Sequence, residues 1–266
     1  MPGLIFNFNL KNELMSHYQR KNSSVKSPEI LFEDAAVVAV NKPAGILTLP
    51  DRWDQGKPNL RDWLRQEYPS SPIYVVHRLD AGTSGVILFA KTETAHQHLC
   101  RQFEQHTIRK VYLALVNGVV ENNHGVIEIP LMPHPRKPGS MIAYTDGKYA
   151  MTHYKVLERF AGFSLLEIAP ETGRMHQIRV HLQTVGHPLA VDDVYGGTRA
   201  LFLSRIKRNY KEKHGKEEKP LIERLSLHAA SIDFIHPDDG QEMKISSELP
   251  KDFQIVLKQL RKYQKN

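Results

Sequence analysis

The residues with the clearest capacity for chemistry lie in one short segment, which reads His77-Arg78-Leu79-Asp80-Ala81-Gly82-Thr83-Ser84-Gly85. A carboxylate such as Asp80 can act as a nucleophile if a cation keeps it ionised and the site is sheltered. The same spacing also suits a plain turn, in which Asp80 bonds to nearby backbone and Arg78 is its surface ion-pair partner. The spacing alone leaves both interpretations open.

Ser84 is a second possible nucleophile in this segment. Gly82-Thr83-Ser84-Gly85 is close to the G-x-S-x-G elbow of hydrolases, but here glycine follows the serine directly instead of standing two residues after it. The run after Ser84 also predicts a strand, whereas the elbow leads into a helix. We therefore interpret Thr83 and Ser84 as turn residues whose hydroxyls bond to the backbone.

Metal and nucleotide chemistry are disfavoured by the positions of the remaining candidate groups. His176 and His181 lie on one predicted helix but point about 140° apart around its axis, so they cannot hold one ion. The single cysteine, Cys100, adds no ligand cluster and forms no intrachain disulfide. Neither glycine fingerprint of nucleotide binding occurs. We expect no metal and no nucleotide cofactor.

Two kinds of element are predicted to position the Asp80 segment. Apolar runs at residues 74–76 and 86–90 predict strands that hold it at both ends. Apolar residues at helical spacing predict a helix further along the chain, and these are Met175, Ile178, Leu182 and Val185. The other face of this helix carries His176, Arg179 and Gln183, with Arg174 just inside its start. Arg179 is thus one candidate cation for Asp80.

The rest of the chain predicts a sheet with a few helices. Strands are predicted near residues 30–34, 36–40, 111–116, 151–157, 163–169 and 225–234. Helices are predicted at 60–68, at 93–106 and from about 251. This order indicates an α+β fold with a mixed, largely antiparallel sheet and flanking helices. We interpret residues 1–29 as a polar N-terminal arm and residues 30–266 as one catalytic domain.

Basic segments suggest a polyanionic partner. The formal charge is +7 and the isoelectric point is about 9.3, which favours nucleic acid without requiring it. Residues 130–139 carry four prolines beside Arg136 and Lys137, and they predict a basic loop without a ladder strand. Residues 199–219 hold eight Lys or Arg against three Glu and are interpreted as a basic insertion, solvated or in contact with nucleic acid.

Localisation is predicted from what the chain lacks. No apolar run approaches the roughly 20 residues of a membrane helix, and the first ten residues do not form a secretion signal. We expect a cytoplasmic protein without a membrane partner, and a monomer.

Three motifs of the chain resemble the RNA pseudouridine synthases of the RluA family, within the wider RluA/RsuA group. They are Asn41-Lys42-Pro43-Ala44-Gly45, His77-Arg78-Leu79-Asp80-x-x-Thr83-Ser84-Gly85 and Thr172-Gly173-Arg174-x-His176-Gln177-Ile178-Arg179-Val180-His181-Leu182. The resemblance extends from about residue 30 to residue 253. The motif residues that it adds in support are Lys42, His77, Thr83, Ser84, Gly85, Gly173, Arg174, His176 and Gln177.

The resemblance implies that uridine in structured RNA, ribosomal or transfer, is isomerised to pseudouridine without metal or organic cofactor. It implies that Asp80 is the nucleophile that enables the N1–C1′ bond to break. Tyr112 would stack on the base and assist removal of the C5 proton, and Arg179 would pair with Asp80. Arg78 would fill the space of the flipped-out nucleotide. Whether the carboxylate attacks the sugar or the base stays open.

One departure from the family pattern bears on substrate choice. Many members carry an N-terminal S4 RNA-binding domain, and residues 1–29 are too short and too polar to hold one. Substrate choice would then rest on the basic loop and on the 199–219 insertion. A non-catalytic RNA-binding or RNA-chaperone protein on the same fold is the alternative function.

Overall fold

The computed structural model describes residues 27–51, 54, 56–211 and 217–264. The strands are β1 Glu29–Glu33, β2 Val37–Lys42, β3 Tyr74–Val75, β4 Ser84–Ala90, β5 Arg109–Asn117, β6 His124–Glu128, β7 Leu131–Pro133, β8 Met141–Ala143, β9 Met151–Phe160, β10 Phe163–Pro170, β11 Leu227–Ile235 and β12 Glu242–Ser246. The helices are α1 Leu60–Glu67, α2 Glu93–Glu104, α3 Gln177–Thr184, α4 Leu203–Ile206 and α5 Lys251–Tyr263. The arm predicted at residues 1–29 lies almost wholly outside the described residues.

Ten of these strands form one mixed sheet. Its order is β1-β2-β4-β11-β5-β10-β9-β6, with β3 also paired to β4 and β12 also paired to β11. Adjacent strands run antiparallel except β4 and β11, which are parallel. The predicted fold class, a largely antiparallel α+β sheet with flanking helices, is confirmed.

Strand β4 is the centre of the structure and explains why the Asp80 segment is rigid at one end. All seven of its residues are buried, because β2 and β11 cover both edges and helices cover both faces. Ile87 and Phe89 pack in the cluster that contains Leu60 and Leu64 of α1. The alternate side chains of β4 pack in the cluster that contains α2. A strand buried on both faces has a continuous apolar sequence, as β4 does.

Gly85 is required where β4 meets the parallel strand β11. Its φ is +112°, and a Cβ built there would lie 2.0 Å from the carbonyl oxygen of Ala229. No side chain fits at that distance, and an L-residue is strained at that angle. The close approach of the two backbones fixes the start of β4, and Asp80 lies four residues earlier.

The proline-rich segment is the clearest error of the sequence-based prediction. Residues 131–133 and 141–143 form the two-stranded sheet β7-β8, with Pro133 opposite Met141. Proline is tolerated because each strand of a two-stranded sheet is an edge strand. Leu131 and Met141 are buried against Val180 and Tyr195, so this hairpin packs beside the start of α3.

The basic segment at 199–219 is only partly solvated. Leu201 and Ile206 are buried in the cluster that contains α5, and Leu201 forms a bridge to Ile222. Residues 212–216 lie outside the described residues. The first part of this segment is therefore anchored on the core, and its basic side chains project from a fixed base.

Candidate active site

Asp80 lies in a tight turn immediately before β4. Its carbonyl accepts a hydrogen bond from the Thr83 amide at 3.1 Å, and the neighbouring Ala81 carbonyl accepts from Gly45 N at 2.8 Å. The Ala81 carbonyl also accepts from Lys42 Nζ at 3.1 Å. The turn is thus tied to the loop that follows β2, and the Asp80 side chain stays 25% exposed.

Two cavities meet at Asp80. One has a volume of about 760 Å³ and the other about 730 Å³, and Arg78, Leu79, Asp80, His176 and Arg179 line both. Apolar and aromatic side chains form part of the wall of the second cavity, namely Phe103, Tyr112, Met175, Ile178 and Leu227. We call it the apolar cavity, although charged residues such as Lys110 and Arg174 also line it. A flat ring can pack against these side chains. Asp80 lines both cavities and is accessible from each.

Arg179 of α3 is the cation beside Asp80. Its Nη1 donates to Asp80 Oδ2 at 3.1 Å, and its side chain is only 6% exposed. The Nε and Nη2 atoms donate to the two oxygens of Asp192, at 2.7 and 2.9 Å. Sequence analysis proposed Arg179 as one possible cation for Asp80, and the structure brings the two side chains together.

Tyr112 of β5 lines the apolar cavity together with Asp80. Burial and the charge of Asp80 both raise the pKa of its phenol well above the usual value. The phenol is therefore protonated throughout the physiological range and presents an uncharged ring to the cavity.

His176 lies just before α3 and lines both cavities. Its Nδ1 is 2.7 Å from Tyr195 Oη, and its Nε2 is 3.8 Å from Asp80 Oδ2. Burial lowers the pKa of His176 below its ordinary value, although the charge of Asp80 opposes the shift. The backbone is left-handed, with φ at 54°, which is uncommon for a residue with a side chain. Sequence analysis placed His176 on the helix, but it is the residue that precedes it.

Arg78 is exposed between the two cavities. A guanidinium at that place faces solvent while Asp80 faces inward. Arg78 therefore presents a charged group to both cavities.

Several motif residues hold the backbone of the site through hydrogen bonds to neighbouring groups. His77 Nε2 accepts from the Leu88 amide at 3.0 Å, and its ring stacks on Phe103 at 4.8 Å. Desolvation and the charge of Lys110 lower the pKa of His77 to about 3. His77 is therefore a neutral acceptor that fastens the segment to β4.

Gln177 holds the backbone at the start of α3 in place. Its Oε1 accepts from Thr172 Oγ1 at 2.7 Å and from the Arg174 amide at 3.0 Å. Its Nε2 donates to the Met151 carbonyl and to Thr152 Oγ1, both at 2.9 Å. Arg174 itself donates from Nε to the Tyr149 carbonyl at 3.0 Å. These bonds fix the turn through Gly173, an exposed residue on the wall of the apolar cavity.

Ser84 is buried and points away from both cavities. Its Oγ is 2.9 Å from His228 Nδ1 and accepts from Arg224 Nη1 at 3.1 Å. A Ser–His contact thus exists, but both residues are at most 1% exposed. Burial lowers the pKa of His228 to about 4. This pair has no access to a substrate. The interpretation of Ser84 as a turn residue that bonds to the backbone is wrong, because Ser84 is the first residue of β4 and its hydroxyl contacts two side chains.

Sequence analysis missed Asp192, Tyr195 and Arg224. Asp192 follows the buried Val191, and a carboxylate directly after an apolar run was the available signal. Arg224 forms a forked pair with Asp252, with distances of 2.8 and 2.9 Å. These partners lie far away in sequence, so spacing could not reveal them.

In the described part of the chain, no group of three or more His, Cys, Asp or Glu side chains could hold a metal ion. No helix within the same residues is long and apolar enough to cross a bilayer.

Comparison with known proteins identifies similar sequences. The profile of a protein family described as RNA pseudouridylate synthase matches residues 36–184. The ribosomal large subunit pseudouridine synthase D of Nitrosomonas europaea is 38% identical over 236 residues, which cover 88% of this chain and 65% of that protein. The dual-specificity RNA pseudouridine synthase RluA of Vibrio vulnificus is 38% identical over 215 residues, 79% of this chain and 78% of that protein. The chain thus spans less than two thirds of the first relative.

Solved structures show the same fold. Human RNA pseudouridylate synthase domain containing 4 superposes with a TM-score of 0.67 at 23% identity, over 96% of this chain and 98% of that chain. Human RNA pseudouridylate synthase domain containing 1 superposes with a TM-score of 0.63 at 24% identity. At these identities the likeness concerns the fold alone.

Proposed function

The chain belongs to the RNA pseudouridylate synthase family, and we propose that it isomerises uridine to pseudouridine in RNA with Asp80 as the reacting group. The observation that carries this proposal is the setting of Asp80. Its carboxylate lies at the junction of two cavities, 3.1 Å from the guanidinium of Arg179, and it shares one cavity with the ring of Tyr112.

The reaction needs no group that the described residues lack. The N1–C1′ bond of uridine breaks, a C5–C1′ bond forms, C5 loses its hydrogen and N1 gains one. Atoms and electrons balance without an oxidant, a reductant or a second substrate. The protein supplies one nucleophile, one cation that compensates its charge and one flat platform for the free base, while solvent water takes the C5 proton and supplies the proton of N1.

Each side chain has one role in this proposal. Asp80 enables the glycosidic bond to break while Arg179 stabilises its carboxylate. Tyr112 stacks on the uracil while it turns, and its high pKa suits a neutral ring better than a general base. Arg78 takes the place of the extruded nucleotide, whose extrusion costs a few kcal/mol.

RNA is the proposed partner because the chain is 38% identical to relatives that are named for the large ribosomal subunit and for dual-specificity RNA modification. The net charge of +7 favours the phosphate backbone. Arg205 and Arg208, exposed near α4, and Arg136 and Lys137, exposed in the β7-β8 hairpin, are proposed contacts outside the cavities. We expect a cytoplasmic monomer.

Incubation of the protein with total RNA from cells that lack it tests this function. Pseudouridine is read by a chemical label specific for it and mapped by sequencing. We expect new label at a small number of uridines, and Ser84→Ala should retain this activity because Oγ does not reach a cavity. RNA binding without new label would support the non-catalytic alternative, and RNA or ester cleavage that Ser84→Ala abolishes would support a hydrolase. The mapped positions would also distinguish ribosomal from transfer RNA.

A further inference from the structure

One short turn, from Asp192 to Tyr195, contacts both groups that flank Asp80. Asp192 holds Arg179, and Tyr195 holds His176. Both side chains of the turn are buried, since Asp192 is 1% and Tyr195 is 4% exposed. Neither side chain has a role in the function proposed above. Among the described residues, no hydrogen bond joins either of them to Asp80.

Asp192 determines how the Arg179 guanidinium is directed. Asp192 Oδ2 accepts a hydrogen bond from Arg179 Nε at 2.7 Å, and Oδ1 accepts one from Nη2 at 2.9 Å. The third nitrogen, Nη1, is therefore available to donate to Asp80 at 3.1 Å. The carboxylate is itself held, because Oδ1 accepts from the amides of Val194 at 2.9 Å and Tyr195 at 3.2 Å. The guanidinium also lies over the Tyr195 ring, 4.8 Å from its centroid. A long side chain with several rotatable bonds is thereby reduced to one orientation.

Tyr195 determines which nitrogen of His176 carries the proton. Its Oη accepts from the Met141 amide at 2.8 Å, so the single hydroxyl hydrogen is available for His176 Nδ1 at 2.7 Å. The neutral imidazole then carries its proton on Nε2, the atom 3.8 Å from Asp80 Oδ2. The left-handed backbone at His176 is consistent with a side chain that its surroundings hold in place.

We propose that Asp192 and Tyr195 are positioning residues of the reaction. Asp192 directs Arg179, Tyr195 sets the tautomer of His176, and both flanking groups therefore meet Asp80 in a single geometry. This inference rests on the proposed function. A purely structural role is the competing explanation, but buried ion pairs contribute little net stability compared with apolar side chains of similar size. The two explanations differ in what the variants do to the rate of the chemical step.

Single-turnover tritium release separates chemistry from binding. Total RNA from cells that lack the protein and were grown with [5-³H]uracil loses tritium to water whenever C5 gives up its hydrogen. With enzyme in excess, the limiting rate constant reports chemistry, and the enzyme concentration at half the limiting rate reports RNA binding. Asp192→Asn should lower the limiting rate on the order of 100-fold, as a reacting group misplaced by about 1 Å does. Tyr195→Phe should lower it about fivefold, the equivalent of one neutral hydrogen bond.

The half-saturating enzyme concentration should not change in either variant, because both side chains are buried. The effect of Asp192→Asn should vanish in an Arg179→Gln background if Asp192 acts only through Arg179. Asp34→Asn is the matched control, because Asp34 is another carboxylate that accepts from two backbone amides, both at 2.8 Å, and contacts a buried side chain, with His236 Nε2 at 2.7 Å from Oδ2. Neither Asp34 nor His236 lines a cavity beside Asp80. We expect Asp34→Asn to lower the melting temperature and to leave the limiting rate within about twofold, because the bonds that it weakens hold a part of the fold outside both cavities.

Three results would overturn the inference. They are a wild-type limiting rate in Asp192→Asn, a loss no larger than that of Asp34→Asn, and a further loss when Asp192→Asn is added to Arg179→Gln. If Asp192→Asn does not fold, the limiting rate of Tyr195→Phe provides the test. An unchanged limiting rate in Tyr195→Phe would then overturn the inference. A wild-type protein that releases no tritium would instead refute the proposed function itself.

Discussion

Lys42 is a buried cation whose titration tests how the turn that carries Asp80 is held. The side chain is 0% exposed, and Nζ donates to the carbonyls of Pro43 at 3.1 Å, Ile46 at 2.7 Å and Ala81 at 3.1 Å. Burial lowers the pKa of this lysine from 10.5 to about 7, although the charge of Asp80 opposes the shift. Between these two values the unfolded chain binds a proton that the folded protein does not.

Lys42→Met removes this titration and predicts a definite sign. Because the unfolded state binds more protons between pH 7 and pH 10.5, the stability of the wild type relative to the variant rises with pH in that range. At about 1.36 kcal/mol per pKa unit, the full range corresponds to about 5 kcal/mol, and the range from pH 7 to pH 9.5 to about 3 kcal/mol. Below pH 7 the difference in free energy of unfolding should be constant.

Urea unfolding of the wild type and of Lys42→Met at several values between pH 6 and pH 9.5 measures this difference. Lys42→Gln is the matched control. It packs differently from methionine but also does not titrate, so its curve should be offset from that of Lys42→Met and have the same slope. A difference that stays flat from pH 7 to pH 9.5, or that falls as pH rises, would refute the burial argument. Different slopes for the two variants would do the same.

Further predictions concern the close approach of two strands, the ring in the cavity and the basic surface. Gly85→Ala should destabilise the protein by more than about 4 kcal/mol in urea unfolding, because its Cβ would lie 2.0 Å from the Ala229 carbonyl oxygen. Gly173→Ala, whose Cβ meets nothing within 4 Å, should change stability far less, and equal effects would contradict the strand geometry. Tyr112→Phe should keep most of the activity and Tyr112→Ala should lose it, because the protonated side chain acts through stacking of its ring. Tritium release measures the activity of both variants, and an equally large loss in both would assign a role to the hydroxyl. Replacing Arg205 and Arg208 with Gln should weaken RNA binding and reduce the slope of the logarithm of the association constant against the logarithm of the salt concentration by about 1 to 2. Filter binding at several salt concentrations measures this slope, and an unchanged slope would exclude these contacts.

Much of the fold could be predicted from the sequence because local patterns determine it. The continuous apolar run of β4 and the helical spacing of α3 identified the two elements that bring Asp80 and Arg179 together. Strand β6 was missed since only Ile127 of its five residues is fully buried. Strand β7 was missed because proline was expected to exclude a strand, as it does in the centre of a sheet, whereas both strands of the β7-β8 hairpin are edge strands.

The candidate site could be predicted only in part. The resemblance to the family supplied Asp80, Arg179 and Tyr112, and the structure brings all three to the wall of one cavity. Asp192 and Tyr195 follow α3 by a loop whose path depends on packing against the β7-β8 hairpin, and no local pattern encodes that path. The burial of Lys42 likewise depends on a contact with Ala81, which is distant in sequence.

The most direct test of the central claim is the single-turnover rate of Asp80→Asn. Asparagine has nearly the same size as aspartate and can still accept a hydrogen bond from Arg179, but it lacks the negative charge. With total RNA labelled at C5 of uridine, we expect the wild type to release tritium and to form pseudouridine, and Asp80→Asn to do neither while it binds the RNA with unchanged affinity. An Asp80→Asn variant that forms pseudouridine at the wild-type rate would contradict the account.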